Sequence, residues 1–148
     1  MKLSQILSAD RVAVGVVSAS KKRTLEEVST LLAHGSVSLS GTDILSSLAG
    51  REKLGSTGLG HGVAIPHGRV AGVTGTVGAF IRLRYPIDYE SHDGQAVDLV
   101  FGLLVPENST SEHLQHLAAV AERFSDEDFC AKIRAASDAG QVFALLAA

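Results

Sequence analysis

Val97-Asp98-Leu99-Val100-Phe101-Gly102-Leu103-Leu104-Val105 is apolar almost throughout, with Asp98 its one charge. A strand with one wet face alternates apolar and polar side chains. A run without that alternation is the pattern of a strand covered on both faces. Upstream, residues 77–83 are rich in β-formers and alternate loosely, which gives the sheet a second strand. The covering layers read as helices. Ser20 stands before Lys21-Lys22-Arg23-Thr24-Leu25, and Leu25, Val28, Leu31 and Leu32 recur at helical spacing until Gly35 supplies a stop. A second helix starts near Thr42, turns Ile44, Leu45 and Leu48 inward, and ends near the glycine cluster that opens at Gly55. Beyond Pro106, the polar run Glu107-Asn108-Ser109-Thr110-Ser111 offers N-caps for a third helix with Leu114, Leu117, Ala118, Ala121 and Phe124 on its apolar face. Ser125 and Asp138 each cap a further helix, the first burying Phe129 and Ile133, the second Val142, Leu145 and Leu146. The order of elements gives an α/β layered domain.

The 148 residues suit a single domain, taken as 1–148, with no repeat, low-complexity tract or linker to divide it. Hydrophobic residues at 45% and charged residues at 20% exclude a disordered, collagen-like or coiled-coil chain. Thirteen Lys and Arg against sixteen Asp and Glu leave a net charge of −3, so no basic excess exists to neutralise nucleic-acid phosphates. The single cysteine, Cys130, offers neither an internal disulfide nor a paired metal spacing, which fits a reducing compartment. Residues 12–17 form an apolar stretch downstream of Lys2, but Asp10 and Arg11 interrupt its approach and it is too short for an export signal. No uncharged apolar segment approaches the ~20 residues of a membrane helix. The expectation is a soluble cytoplasmic protein without membrane insertion.

Residues 55–68 read Gly-Ser-Thr-Gly-Leu-Gly-His-Gly-Val-Ala-Ile-Pro-His-Gly, a loop with a short strand at 63–65. Glycines expose backbone N–H groups that can cradle phosphate, yet neither nucleotide motif fits. Gly55 and Gly60 have P-loop spacing, but His61 replaces the lysine and Gly62 the magnesium-binding hydroxyl. Gly58-Leu59-Gly60-His61-Gly62 falls one residue short of the dinucleotide fingerprint. Glycines that serve tight turns alone also fit the segment.

Within it, His67 stands between Pro66, which fixes the backbone ahead of the imidazole, and Gly68, which lets another molecule approach. An imidazole titrates near neutrality, so its free nitrogen can act as a nucleophile without a dedicated base. A surface loop histidine without a role fits equally well. His113 and His116 share a face near the start of the third helix, where N–H groups and the helix dipole suit an anion. His116 reads equally as a surface or packing residue, and His34 and His92 as surface residues. Arg51 is either an anion-stabilising guanidinium or a cation favoured by its helix C-terminus. At about 5 Å and an effective dielectric of about 20, its charge would contribute roughly 3 kcal/mol per phosphate charge before desolvation losses.

Arg51-Glu52-Lys53-Leu54-Gly55-Ser56-Thr57-Gly58-Leu59-Gly60, followed by Gly62-Val63-Ala64-Ile65-Pro66-His67-Gly68, resembles the active-site region of type-2 enzyme IIA domains, the mannitol/fructose class of the bacterial phosphotransferase system. The resemblance extends to Ser20-Lys21-Lys22-Arg23-Thr24-Leu25-Glu26, to the apolar run from Val97 to Pro106 and to His113-Leu114, so it covers essentially the whole chain. Within that class the nitrogen-regulatory branch is the most similar. The resemblance implies a mixed β-sheet flanked by helices. It implies that His67 is phosphorylated by a histidine-phosphocarrier protein charged from phosphoenolpyruvate through enzyme I, and that His113 is the second active-site histidine and Arg51 the active-site arginine. It assigns no role to His61 or His116.

The expected function is therefore a phosphoryl carrier that forms a transient phosphohistidine and regulates target proteins by its phosphorylation state, with no cofactor and no metal. Its expected partners are a histidine-phosphocarrier upstream and a regulatory target or an enzyme IIB downstream. Two alternatives stand beside it. One is a sugar-specific enzyme IIA that feeds an enzyme IIB. The other is a zinc protein using His67, His113 and His116, although its helical pair lies at i, i+3 rather than the i, i+4 of the familiar zinc helix and no nearby carboxylate is an obvious base.

Overall fold

The apolar run around Phe101 forms the middle strand of a mixed sheet. The computed structural model describes residues 2–34, 39–108 and 111–148, without the side chains of Glu112 and His113. After two short 3-10 turns, the elements in chain order are β1 (Val12–Val16), α1 (Lys21–Ala33), α2 (Gly41–Glu52), β2 (Gly58–Gly60), β3 (Val63–Ala64), β4 (His67–Val70), β5 (Val77–Ile87), β6 (Val97–Pro106), α3 (Ser111–Phe124), α4 (Glu127–Ala135) and α5 (Ala139–Ala147). The sheet order is β1-β5-β6-β3-β2. One side of β6 pairs antiparallel with β5. The other side is shared in series by two parallel strands, β3 opposite Leu99 and Val100 and β4 opposite Leu103 to Pro106. The edge strand β1 runs parallel to β5, and its register slips between Ala13 and Val16, where Gly15 has φ +67°.

Strand β6 is buried on both faces, as its composition requires. Leu99, Phe101 and Leu103 enter a core with Phe80, Val120, Phe124 and Phe129 beneath α3, α4 and α5. Val100 and Leu104 enter a second core with Val28, Leu32, Ile44 and Leu48 beneath α1 and α2. Phe124 stacks on Phe80 at 5.8 Å between ring centroids and meets Phe129 edge-on at 5.4 Å. Each such side chain contributes roughly 1.5–3 kcal/mol by leaving water. Among the described residues the sheet is flanked by five α-helices, in agreement with the expected layered α/β architecture, and no helix is long and apolar enough to cross a membrane.

The Ser20 cap is present, its hydroxyl accepting from the Arg23 N–H at 3.1 Å, and the Asp138 carboxylate caps α5 through the Gln141 N–H at 2.8 Å. Helix α1 ends at Ala33 with His34 as its cap, and the expected stop at Gly35 lies outside the described residues. Of the candidate caps for α3, Ser109 and Thr110 also lie outside them.

Three expectations need correction. The cap of α4 is Asp126, whose carboxylate accepts from the Asp128 and Phe129 N–H groups, and not Ser125, whose hydroxyl donates back to the Ala121 carbonyl. A hydroxyl one residue earlier is still within reach of the preceding helix. Leu114 is not on the buried face of α3; it is 59% exposed, and Val120 and Phe124 carry the burial instead. Finally, the glycine-rich segment is more strand-like than expected. It contains β2, β3 and the start of β4, with Ile65 outside β3 and its N–H donating to the Thr57 carbonyl at 3.0 Å. The apolar stretch weighed as an export segment is β1.

Candidate functional site

His67 opens β4, paired opposite Leu103, so it belongs to the sheet and not to a glycine loop. Its ring Nδ1 lies 2.9 Å from the Ile65 carbonyl oxygen. That oxygen can only accept, so Nδ1 carries the hydrogen and the lone pair resides on Nε2. The half-buried ring borders a cleft of about 440 Å³ whose lining includes Ser47, Arg51 and Leu54 from α2 and the turn after it, and Leu114 and Leu117 from α3.

Helix α2 reaches this cleft because it lies close against β4. A Cβ on Gly68 would stand 2.3 Å from the Ser47 hydroxyl oxygen, and that hydroxyl donates to the Arg69 carbonyl at 2.8 Å. One turn beyond Ser47, Arg51 lines the cleft together with His67. Its Nη1 donates to the Gly55 carbonyl oxygen at 2.9 Å. Arg51 also lies in the last turn of α2, where the dipole favours a cation.

The other histidines divide. The backbone of His113 lies in α3, but its side chain is outside the described residues; its neighbour Leu114 lines the cleft. The ring Nδ1 of His116 hydrogen-bonds the Thr76 hydroxyl and ties α3 to the turn before β5. His61 sits at the opposite end of β6, in the turn between β2 and β3 with φ +57°. There its N–H donates to Asp93 at 2.9 Å, and its carbonyl accepts from Arg134 at 3.0 Å. His34 and His92 are exposed. Among the described residues no group of three His, Cys, Asp or Glu could hold a metal ion.

The sequence reading gave no role to Glu52, the most heavily bonded carboxylate near the cleft. Its side chain is 6% exposed. Oε1 pairs with Lys21 Nζ at 3.0 Å and accepts from the Thr57 N–H at 3.1 Å. Oε2 accepts from the Thr57 hydroxyl and, at 3.2 Å, from the Tyr89 hydroxyl. Lys21 Nζ also lies 4.7 Å from the Tyr89 ring centroid. Burial pushes the Tyr89 phenol well above its ordinary range, and the charge of Glu52 beside it acts in the same direction. Both Lys21 and Glu52 fall within the stretches that carry the family resemblance, but nothing in the sequence marks them there as partners.

A model of the family described as "Phosphoenolpyruvate-dependent sugar phosphotransferase system, EIIA 2" matches residues 5–148. The chain belongs to this family. It is a type-2 EIIA chain, a phosphotransferase component, and several of its relatives carry a regulatory name. It is 40% identical over 146 residues to the nitrogen regulatory protein of Pseudomonas aeruginosa, covering 99% of this chain and 95% of that one. The nitrogen regulatory protein of Escherichia coli is also 40% identical, over 147 residues that cover 99% of this chain and 90% of the relative. The crystal structure of the nitrogen regulatory protein IIA-Ntr from Neisseria meningitidis superimposes with a TM-score of 0.90 at 47% identity, covering 97% of this chain and 98% of that one. The IIA mannitol structure from Escherichia coli shares the EIIA fold, with a TM-score of 0.79 at 24% identity over 95% of this chain and 99% of that one.

Proposed function

We propose that this chain is a cytoplasmic phosphoryl carrier of the nitrogen branch of the phosphotransferase system, accepting its phosphoryl group on Nε2 of His67 from a histidine-phosphocarrier protein. The observation that carries the reading is the bond from His67 Nδ1–H to the Ile65 carbonyl, which leaves Nε2 as the nucleophile of a ring bordering the cleft. In the transfer, a bond forms from Nε2 to phosphorus as the phosphorus–nitrogen bond of the donor breaks, and its electron pair returns to the donor imidazole. No proton has to move. The hydrogen stays on Nδ1, still donated to the Ile65 carbonyl oxygen, and that bond steadies the positive charge that the ring acquires. Phosphoryl transfer asks a protein for position and fixed positive potential, and Arg51 supplies the latter at the same cleft. His113 acts as the second active-site histidine.

Downstream, the phosphorylation state of His67 governs association with a regulatory target, a reading supported by the printed names of the full-length relatives. The exposed apolar side chains Leu54 and Leu114 that line the cleft suit a protein partner better than a small solute. The test is incubation with radiolabelled phosphoenolpyruvate, enzyme I and either the nitrogen-type or the sugar-type phosphocarrier. Faster labelling from the nitrogen-type carrier is expected. Preference for the sugar-type carrier, with onward transfer to an enzyme IIB, would assign the chain to sugar uptake instead.

A further inference from the structure

Arg51 leaves the end of α2 with its guanidinium bonded to the Gly55 carbonyl. Gly55 belongs to an exposed turn with little packing of its own. Leu54 is 83% exposed, and no described atom beyond Gly55 and its two chain neighbours lies within 4 Å of where a Cβ on Gly55 would stand. The turn is held to the protein at its far end, where Thr57 gives both its N–H and its hydroxyl to the Glu52 carboxylate and Ser56 donates to the Tyr89 carbonyl at 3.1 Å. Arg51 and Glu52, adjacent in sequence, thus close the same turn from opposite sides.

We propose that Glu52 is a positioning residue for phosphoryl transfer: by clamping Thr57 it fixes the turn whose Gly55 carbonyl aims Arg51 at the cleft bordered by His67. The inference rests on the assignment of His67 as acceptor and Arg51 as its stabilising cation. Stability alone does not explain the arrangement. Burying a carboxylate is costly even when it is paired, and replacement of a buried ion pair by apolar residues is often neutral or stabilising. Yet four donors from three separate segments converge on Glu52: Lys21 Nζ from α1, the N–H and hydroxyl of Thr57, and the Tyr89 hydroxyl. What they hold in common is the placement of the turn at the cleft. Glu52 does not line that cleft, so it acts through Arg51 and not on the phosphoryl group.

The experiment is a double-mutant cycle on the full chain, with single-turnover transfer from the phosphorylated nitrogen-type phosphocarrier followed across carrier concentrations. Glu52→Gln keeps the shape of the side chain and removes its charge. Its maximal rate is expected to fall about ten- to a hundredfold, as a small misplacement does, with the half-saturating carrier concentration unchanged and His67 still labelled to completion. In an Arg51→Ala background the same substitution should change the rate by less than about twofold. Should Glu52→Gln fail to fold, Thr57→Val removes one donor without changing shape, and the same loss of rate, dependent on Arg51, is expected. An equal loss in both backgrounds, an unchanged rate, or a raised half-saturating concentration alone would overturn the proposal. Wild-type protein that takes no label on His67, or Arg51→Ala that transfers as fast as wild type, strikes the parent assignment and this inference with it.

Discussion

The imidazole of His67 and the carbonyl of Ile65, two residues apart, are joined by a 2.9 Å hydrogen bond across the proline between them. Because Pro66 has no N–H and a restricted φ, the chain from Ile65 to His67 has few alternative conformations, and the imidazole is held in one tautomer. Phosphorus should therefore appear on Nε2. Heteronuclear NMR of the phosphorylated protein checks this, and the label should be lost in acid and kept in base. His67→Ala should abolish labelling with the fold intact. A label on Nδ1, or stoichiometric labelling of His67→Ala, contradicts the assignment.

For the helix histidines, His113→Ala is expected to slow transfer much more than His116→Ala while His67 still accepts phosphate. His116 is bonded to Thr76 and does not line the cleft, so its loss should appear mainly in stability. Rapid-quench kinetics alongside thermal unfolding separates the two effects. Equal kinetic defects would remove His113 from the site.

Gly68→Ala forces a methyl group toward Ser47, whose hydroxyl oxygen would lie at 2.3 Å and Cβ at 3.0 Å. Helix α2 must then retreat from β4, at a cost of about 1–3 kcal/mol in denaturant unfolding. Adding Ser47→Ala should recover only part of that loss, since the Cβ contact persists. Transfer should slow as well, because α2 carries Arg51. A variant as stable as wild type would show that the close approach of helix and strand is not required.

Tyr89 provides a pH signature. Burial, then the neighbouring Glu52 charge, raises its phenol above the ordinary value of 10.0. The unfolded chain loses this proton first, so the contribution to stability is whole below about pH 10 and declines as pH rises from there toward the folded value. Ultraviolet titration of the folded protein should show the Tyr89 phenolate appearing only with alkaline unfolding. Tyr89→Phe should flatten the alkaline fall in stability, and an unchanged alkaline slope in that variant would disprove the linkage.

Phosphorylation places about −1.5 to −2 charges on a rim that is otherwise largely apolar. Amide shifts are expected to cluster in residues 55–69 and around His113, with α4 and α5 nearly still, and affinity for a regulatory partner to differ by about 1–3 kcal/mol between the two forms. Shifts spread evenly through residues 125–148 would indicate a global change instead.

The two-faced burial of β6 was legible because an unbroken apolar run leaves no wet face, and five helices could be read from caps and periodicity. The short strands were not. Gly58–Gly60 and His67–Val70 are too short and too glycine-rich to show alternation, and they are strands because partners complete them, β3 just across a turn for the first and β6, distant in sequence, for the second. The same limit hid the Glu52 cluster, whose members come from α1, the end of α2, the turn after it and the segment following β5. His67 stood out in sequence because its neighbours are so restrictive, while the hydrogen bond that fixes its tautomer required coordinates.

At the free edge of the sheet, the kink at Gly15 and the register slip of β1 have a bearing on how this protein meets others. A long straight edge invites another polypeptide to continue the sheet through its own backbone. Here one edge is bent, and at the other end β2 is three residues long. Neither end of the β1-to-β2 strand path therefore offers a long straight edge, which favours recognition through side chains. On the proposed function, a surface read in that way would be altered by one added phosphoryl group and restored by its departure, without any strand having to change partners.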